Sequence, residues 1–268
     1  MQSYLVLCES QSSAETSELC GYHVFASLAR RFRDKGENDL FPHDDGAMRP
    51  ITVSRLLRMP LRVDDLAGFY DGFAGPLRKG DIFAFRISFL EDDRAAQFIK
   101  LLGDESLSID PGLEFLPVEV MCPGASPLCA AAVPSVLRSS GISACRLRFL
   151  SPTGFKRRGE QMPLPLPEIV YHGLLQKWRA WVSESEWPGI EESFPSIRIE
   201  KFAIKSQPVW LKKDTVFRGA VGYCEYSFRH LKEDVRAAVA ALSMFSFFAG
   251  VGYKTAQGMG QVFPEKTG

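Results

Sequence analysis

The stretch Phe247-Phe-Ala-Gly-Val-Gly-Tyr-Lys-Thr-Ala-Gln-Gly-Met-Gly-Gln-Val262 joins an apolar helical pattern to a short strand pattern. Four of the eleven residues from Gly250 to Gly260 are glycines. Glycine suits positions where the backbone takes a positive φ or where another backbone comes close, and Lys254, Thr255 and Gln257 add side-chain donors. The stretch therefore predicts a loop that binds an anion such as a phosphodiester.

Two familiar phosphate-binding patterns do not fit this loop. The phosphate loop of nucleotide hydrolases needs Gly-Lys followed by Ser or Thr at the start of a helix, and a dinucleotide fingerprint follows a strand. Here the glycines follow a helical pattern and lie near the end of the chain. The loop is therefore predicted to belong to another class of anion-binding motif.

Composition places the chain among ordinary globular proteins. Its 268 residues are 46% hydrophobic and 24% charged, which is enough apolar surface for one large or two medium cores. Two domains of similar size are predicted, an N-terminal domain at 1–125 and a C-terminal domain at 143–268, with a linker region at 126–142. The 32 basic residues balance 32 acidic ones, so any nucleic-acid site must be a local basic patch.

The six cysteines have irregular spacings and form no C-x-x-C pair or Cys/His cluster with zinc-site geometry. They are predicted to be buried thiols in a reducing cytosol, and no metal or cofactor is expected. No basic leader precedes the first apolar run, and no apolar stretch reaches the length of a membrane span. A soluble, cytoplasmic protein without a membrane partner is therefore predicted.

The first half alternates strand and helix patterns in the order strand, helix, strand, strand, helix, strand. Its first helical pattern places Tyr22, Phe25 and Phe32 on one face. The order is that of a ferredoxin-like domain. The six elements are predicted at 3–9, 18–33, 51–57, 81–90, 91–102 and 112–121.

The second half repeats this order of elements. A loop at 151–159 is predicted to follow its first strand, and the glycine-rich loop follows its last helix. The predicted fold class is therefore α+β, with two tandem ferredoxin-like (RRM-like, βαββαβ) domains. The six elements are predicted at 145–150, 166–183, 196–203, 216–228, 231–248 and 260–263.

Five sequence motifs together resemble one known family, the CRISPR-associated endoribonucleases of the RAMP superfamily that cleave repeats, which form the sixth Cas family. The resemblance covers nearly the whole chain. The motifs are Gly21-Tyr-His23, His43 with Arg49-Pro-Ile-Thr-Val-Ser54, Phe149-Leu-Ser-Pro-Thr153, Leu164-Pro-Leu-Pro167 with Leu174-Leu-Gln-Lys-Trp178, and the Gly250 to Gly260 loop.

This resemblance implies a metal-independent endoribonuclease that cuts CRISPR precursor RNA within each repeat. In such enzymes the 2′-hydroxyl attacks the adjacent phosphorus, so the products carry a 2′,3′-cyclic phosphate and a 5′-hydroxyl. The implied partners are precursor and mature repeat RNA and other Cas proteins, including a reverse transcriptase and integrase module. A monomer or a homodimer is expected.

Histidine is the natural proton-transfer group near neutral pH, and the chain has four histidines. The resemblance selects His43, which precedes the predicted Pro-Ile-Thr strand start, as general acid or base. His23 is its expected partner, and Arg49 is the expected charge-stabilising residue. His172 and His230 are interpreted as a surface group and a capping or hinge residue.

Residues that could hold RNA fall into three groups, and each has an ordinary explanation as solvated surface. The first group consists of basic residues near the end of the first helix and on the strand at 145–150. The second is the loop at 151–159, which carries hydroxyls and cations around Phe155. The third is the glycine-rich loop with Lys254. Phe155 is the predicted stacking platform. The predicted set is Arg30, Arg33, Arg146, Arg148, Ser151, Thr153, Lys156, Arg157, Arg158, Gly252, Lys254, Thr255, Gln257, Gly258 and Gly260.

Two other functions compete with RNA cleavage. A non-catalytic RAMP subunit of an effector or adaptation complex would share the glycine loop but would not need His43 and His23. An ordinary single-stranded RNA-recognition module would carry a Lys/Arg-Gly-Phe-Gly-Phe-Val-x-Phe strand, and that signature is absent from the sequence. The two histidines therefore discriminate between an enzyme and a binding protein.

Overall fold

The structure is a computed structural model and describes residues 1–13, 21–37, 41, 48–59, 76–103, 105–109, 112–157, 159–183, 187–212 and 215–267. It has two compact units. Unit 1 comprises Met1–Ala131 and Ala256–Gly258, and unit 2 comprises Ala132–Thr255 and Met259–Gly268. Both units combine helices with antiparallel sheets, so the predicted α+β class is confirmed.

Unit 1 has one sheet with strand order β2-β4-β1-β6-β5, and β3 also pairs with β4. All pairings are antiparallel. The elements are β1 (Gln2–Ser10), α1 (Gly21–Asp34), β2 (Ile51–Val53), β3 (Leu57–Arg58), β4 (Ile82–Phe89), α2 (Asp92–Leu102), β5 (Leu107–Ile109) and β6 (Leu113–Met121).

The core of unit 1 lies between its two helices and one face of its sheet. Phe32 of α1 stacks on Phe98 of α2 with ring centroids 5.5 Å apart, and Phe98 also contacts Phe89 of β4 at 5.2 Å. Both helices show the spacing of an amphipathic helix, which buries one apolar stripe. Tyr22 is half-buried and lies outside this core, although the sequence pattern assigned it to the apolar face.

The opposite face of the unit 1 sheet is partly covered by residues 122–131. Arg86 of β4 is buried there and donates from Nε to the Leu128 carbonyl at 3.1 Å. Its burial lowers the pKa of the Arg86 guanidinium to about 9. The boundary between the units follows Ala131, within the segment predicted as a linker. The N-terminal part of that segment is therefore packed structure.

Unit 2 has a four-stranded antiparallel sheet with order β10-β11-β7-β12, and β8 and β9 form a separate hairpin. Two 3₁₀ turns span Ile190–Ser196 and Thr255–Gln257. The other elements are α3 (Pro134–Arg138), β7 (Ala144–Thr153), β8 (Phe155–Arg157), β9 (Glu160–Met162), α4 (Pro167–Trp181), β10 (Arg198–Lys212), β11 (Thr215–Ser227), α5 (Glu233–Ala249) and β12 (Val262–Lys266).

The core of unit 2 is built on large aromatic side chains of α4, α5 and the sheet. Trp178 of α4 meets Phe245 of α5 edge to face at 5.1 Å, and Tyr171 meets Tyr226 of β11 at 5.5 Å. The Tyr226 hydroxyl donates to the Pro165 carbonyl at 2.6 Å, so its polar end is satisfied inside the core.

Most predicted elements are confirmed within a few residues, but the structure corrects several local expectations. The predicted loop at 151–159 is wrong, because β7 runs on to Thr153 and the hairpin β8–β9 follows it. β5 was not predicted, since three residues carry too little periodicity. Cys122 is exposed, contrary to the expectation of buried thiols, whereas the other described cysteines are buried.

Candidate active site and RNA-binding surfaces

Three segments distant in the sequence meet in unit 1 around Gly258. A Cβ on Gly258 would lie 2.7 Å from the Gly21 Cα and 3.4 Å from the Arg55 backbone nitrogen. A Cβ on Gly21 would lie 2.3 Å from the Gly258 Cα. These distances are too short for any side chain at either position. The first described turn of α1, the exit from β2 and the tip of the glycine-rich segment therefore touch through backbone atoms.

His23 lies in that first turn of α1, two residues after Gly21. Its ring is half-buried and meets the Tyr22 ring edge to face, with centroids 5.7 Å apart. The helical turn that carries His23 thus begins at Gly21, where the three segments meet. Arg55, which is half-buried and follows β2, was not singled out from the sequence. No local signal marks it, because its neighbour Gly258 is about two hundred residues away.

Of the other two predicted catalytic residues, only Arg49 lies within the described residues. Arg49 is half-buried, and its guanidinium carbon lies 4.5 Å from the centroid of the Phe25 ring on α1. This cation–π contact holds Arg49 against the helix that carries His23. His43 lies outside the described residues, as does Arg158 of the predicted basic cluster. Their predicted roles stay predictions.

The glycine-rich segment is largely buried, which corrects the expectation of an open loop. Thr255, Gln257 and Met259 are all less than a tenth exposed. Each glycine has a packing reason: a Cβ on Gly252 would lie 2.2 Å from the Gly154 carbonyl oxygen, and one on Gly260 would lie 2.0 Å from the Val251 carbonyl oxygen. Their glycine identity therefore follows from close packing of backbones.

The first half of this segment contains a helix cap and a non-glycine residue in the left-handed conformation. Gly250 caps α5 with φ 63° and donates from its N–H to the Ser246 carbonyl. Lys254 has φ 63°. Lys254 and Gly252 are both half-buried. A non-glycine residue in this conformation is uncommon and carries backbone strain. Gly252 and Lys254 are thus the two predicted ligand-binding residues of the segment with appreciable exposure.

A buried lysine, Lys177 of α4, holds this segment from inside unit 2. Its Nζ donates to the carbonyls of Ala249 at 2.7 Å and Gly250 at 3.1 Å and to the Thr255 hydroxyl at 3.3 Å. Burial lowers the pKa of Lys177 to about 7. Sequence reasoning missed this residue. The available signal was a lysine placed between Leu174 and Trp178 on the apolar face of a helix.

Arg146 and Arg148 of β7 are matched by carboxylates on the neighbouring strands. Arg146 pairs with Glu225 of β11 at 2.9 Å, and Arg148 pairs with Glu265 of β12 at 2.7 Å. The hydrogen bond that Arg146 donates to the Glu225 carboxylate raises the pKa of Arg146. The Arg146 guanidinium carbon also lies 4.7 Å from the centroid of the Tyr223 ring. Both arginines are half-buried, so their predicted contact with RNA would compete with these carboxylates.

Ser151, Thr153 and Phe155 are placed differently from the prediction. Both hydroxyl residues are fully buried in β7 and Phe155 is 4% exposed. The Ser151 hydroxyl accepts from the Gln261 N–H at 2.9 Å, and the Thr153 hydroxyl donates to the Ser151 carbonyl at 3.0 Å. All three residues are buried within unit 2, so they offer no exposed hydroxyl or stacking surface.

Exposed cations remain on the β8–β9 hairpin and on α1. Lys156 and Arg157 are exposed, and the Lys156 ammonium lies 5.4 Å from the centroid of the Tyr253 ring. The hairpin is attached to β11 by the Gln161 side chain, which donates to the Val216 carbonyl and accepts from the Arg218 N–H. Arg30 and Arg33 are also exposed, one turn apart on α1. These four residues are accessible to an anionic ligand.

Known proteins resemble this chain most clearly in its second half. Residues 147–262 match the model of the family described as CRISPR-associated endoribonuclease Cas6. The second half is Cas6-like. A protein named CRISPR-associated endoribonuclease Cas6 from Mycobacterium tuberculosis strain CDC 1551 / Oshkosh is 34% identical over 119 residues, as is its counterpart in strain H37Rv. The match covers 44% of this chain and only 37% of the length of either relative.

Solved structures of Cas6 proteins share the fold of the entire chain. The structure of a Cas6 product complex has a TM-score of 0.72 and is 22% identical in sequence. The superposition covers 98% of this chain and 99% of that chain. Thermus thermophilus Cas6 has a TM-score of 0.71 at 21% identity, with 98% of each chain covered. Together with the match of residues 147–262 to the Cas6 family model, these similarities in fold confirm the predicted resemblance to Cas6 proteins.

Among the residues that the structure describes, no helix combines the length and the apolar character needed to cross a membrane. The same part of the chain holds no group of three or more His, Cys, Asp or Glu side chains arranged around a common metal position.

Proposed function

We propose that this Cas6-like chain is an endoribonuclease that cleaves CRISPR precursor RNA within its repeats, without a metal ion. The observation that carries the proposal is the contact of Gly258 with Gly21 in unit 1. It brings the glycine-rich tip against the helical turn that holds His23. The names of the matched relatives and the product complex among the similar structures support the same activity and substrate.

The proposed reaction is attack of a 2′-hydroxyl on the adjacent phosphorus, giving a 2′,3′-cyclic phosphate and a 5′-hydroxyl. Such a reaction needs an in-line geometry, a base for the hydroxyl proton, an acid for the leaving oxygen and positive charge at the phosphoryl oxygens. His43 and His23 are proposed to transfer the protons. Arg49 is proposed to stabilise the charge, with Arg55 as a second candidate beside Gly258.

Binding of the repeat is proposed to use Lys156, Arg157 and Lys254 of unit 2 together with Arg30 and Arg33 of unit 1. All five carry positive charge; Lys156, Arg157, Arg30 and Arg33 are exposed and Lys254 is half-buried, and phosphate contacts position a nucleic acid without reading its bases. Because the chain has no net charge, these local contacts would supply the electrostatic part of the affinity.

The two units are proposed to be tandem ferredoxin-like domains. When the four main strands of unit 1 are numbered along the chain, their order across the sheet is second, third, first, fourth. The four strands of the unit 2 sheet, numbered in the same way, have the same order across the sheet. A helix follows the first strand and another follows the third strand in each unit. This arrangement supports a duplicated βαββαβ module.

The experiment that tests this function measures cleavage of an end-labelled CRISPR repeat RNA in EDTA. The wild type is compared with His43→Ala, His23→Ala and the double variant, and His172→Ala is the control for a histidine on an exposed helical surface. Binding of the same RNA is measured in parallel. Product ends are identified by treatment with acid and phosphatase, which distinguishes a cyclic phosphate from a 3′-hydroxyl.

We expect the wild type and His172→Ala to cut in EDTA, and His43→Ala to bind without cutting. Undiminished cutting by the double variant would refute both histidine assignments. Tight binding by the wild type with no cleavage at all would instead favour a non-catalytic RAMP subunit that holds RNA in a larger Cas complex.

A further inference from the structure

β10 forms one edge of the unit 2 sheet over fifteen residues, Arg198–Lys212. Among the described residues it pairs with β11 on one side, and no strand pairs with its other side. A free edge presents backbone N–H and C=O groups that can pair with another extended chain. Whether the edge attracts or repels such a chain depends on the side chains that flank it.

One face of β10 carries exposed aromatic residues. Phe202 lies opposite Cys224 and Trp210 lies opposite Val216 in the antiparallel register, so both point to the same side of the sheet. Phe202 is 66% exposed and Trp210 is 63% exposed. The helices that bury Cys224 therefore leave the outer strand uncovered, and two large rings stand in solvent.

The other face of β10 carries exposed cations. Lys201 lies opposite Glu225 and Lys205 opposite Val221, which places both on the face away from Phe202. Both lysines are exposed, and among the described residues neither belongs to an ion pair. The acidic residue of the strand, Glu200, is held by Arg229 at 3.1 Å. This face of the edge is therefore positively charged.

We propose that the free edge of β10 binds an extended segment of a protein partner as an added antiparallel or parallel strand. The segment would alternate apolar and acidic residues. In an added strand, alternate side chains point to opposite faces, so its apolar residues would contact Phe202 and Trp210 while its carboxylates met Lys201 and Lys205. This inference is independent of the proposed RNA cleavage.

The arrangement argues against two other occupants. Nucleic acid binds single strands by stacking on rings beside cations that hold the phosphates, whereas here the rings and the lysines lie on opposite faces of one strand. A second copy of β10 would bring Lys201 and Lys205 against the same lysines, and edge lysines oppose such pairing. An acidic and apolar strand satisfies both faces at once.

The test uses a fluorescein-labelled peptide of about nine residues in which valine and glutamate alternate, a length that spans most of the strand. A second peptide of identical composition has its valines and its glutamates in separate blocks. Binding is followed by fluorescence anisotropy, and backbone pairing by hydrogen exchange of residues 198–212. The variants are Phe202→Ala with Trp210→Ala, and Lys201→Gln with Lys205→Gln; Leu164→Ala, another exposed apolar position, is the control.

We expect the alternating peptide to bind the wild type and to slow exchange in β10. The aromatic double variant should weaken binding about tenfold, and the lysine double variant about threefold, while Leu164→Ala has no effect. Equal binding of both peptides, or binding without slower exchange in β10, overturns the proposal. The proposal is also overturned if single-stranded RNA competes with the peptide and the same variants weaken binding of that RNA. It is overturned as well if the wild type is a dimer and the aromatic double variant dissociates it.

Discussion

At the residue scale, Lys177 supplies hydrogen bonds that the end of α5 would otherwise lack. The last carbonyls of a helix have no partner within the helix. The Lys177 Nζ donates to the carbonyls of Ala249 and Gly250 and to the Thr255 hydroxyl. It thereby joins α4 to the start of the glycine-rich segment.

Replacing Lys177 by Met should destabilise unit 2, because the two carbonyls and one hydroxyl lose a buried donor. The expected loss in the free energy of unfolding is about 1–3 kcal/mol. Urea denaturation followed by the fluorescence of Trp178 and its neighbours measures it. Lys266→Met, an exposed lysine of the same unit, is the matched control and should change stability by less than about 0.5 kcal/mol.

The pH dependence of this difference has a defined sign. The pKa of Lys177 falls from 10.5 to about 7 on folding. Between these values the unfolded chain binds the proton and the folded chain does not, so stability rises with pH across that window. The advantage of the wild type over Lys177→Met should grow from pH 7 to pH 9 by up to about 1.4 kcal/mol per pH unit. A difference that stays constant over this range would contradict the buried, proton-releasing lysine.

A second residue-scale prediction concerns Gly258. Ala at this position would clash with the Gly21 backbone and hold a side chain at φ 90°. Gly258→Ala should lower stability by about 1–3 kcal/mol and should reduce repeat cleavage, since it displaces the turn that carries His23. Gly173→Ala is the control, because a Cβ there meets nothing within 4 Å on α4. It should be neutral or slightly stabilising.

At the scale of elements, the β8–β9 hairpin is the clearest exposed basic feature of unit 2. Gln161 attaches it to β11, and Lys156 and Arg157 project from it. Such cations bind phosphates and release counterions, which makes affinity fall with salt concentration.

Replacing both Lys156 and Arg157 by Ala should weaken binding of repeat RNA and reduce the slope of log affinity against log salt by about 1–2. Anisotropy titrations across a series of salt concentrations measure the slope. Lys100→Ala, an exposed lysine at the end of α2, is the control. If the slope of the double variant equals that of the wild type, the hairpin does not touch the phosphates.

At the scale of the whole molecule, the core of unit 1 includes a residue from the far end of the chain. Ala256 is 4% exposed and belongs to the same buried cluster as Phe25 and Val53. The turn that holds it lies more than a hundred residues after the rest of unit 1. Residues 256–258 of the glycine-rich segment are therefore a structural part of unit 1.

Ala256→Asp should destabilise unit 1 by about 3 kcal/mol or more, because it buries an unpaired charge. Hydrogen exchange in α1 should become faster, whereas exchange in α4 of unit 2 should change little. Ala96→Asp places the same charge on the exposed side of α2 and should leave both helices unaffected. Equal acceleration in α1 and α4 would mean that the damage is not confined to the core of unit 1.

The sequence by itself determined the helices, most strands and their order, because burial of one face imposes a period within a few neighbouring residues. It also marked His23 and the basic pair Lys156 and Arg157, since these depend on residue type and on local motifs. The α+β class and the Cas6-like motifs follow from such local information.

Only the tertiary structure decided which chemical groups meet. The contact of Gly21 with Gly258, the anchoring by Lys177 and the burial of Ser151 each join segments that are far apart in the sequence. The glycines looked like an exposed loop because local pattern does not register a backbone packed against them from another segment. Burial is a property of the folded chain, so a polar residue type alone did not reveal it.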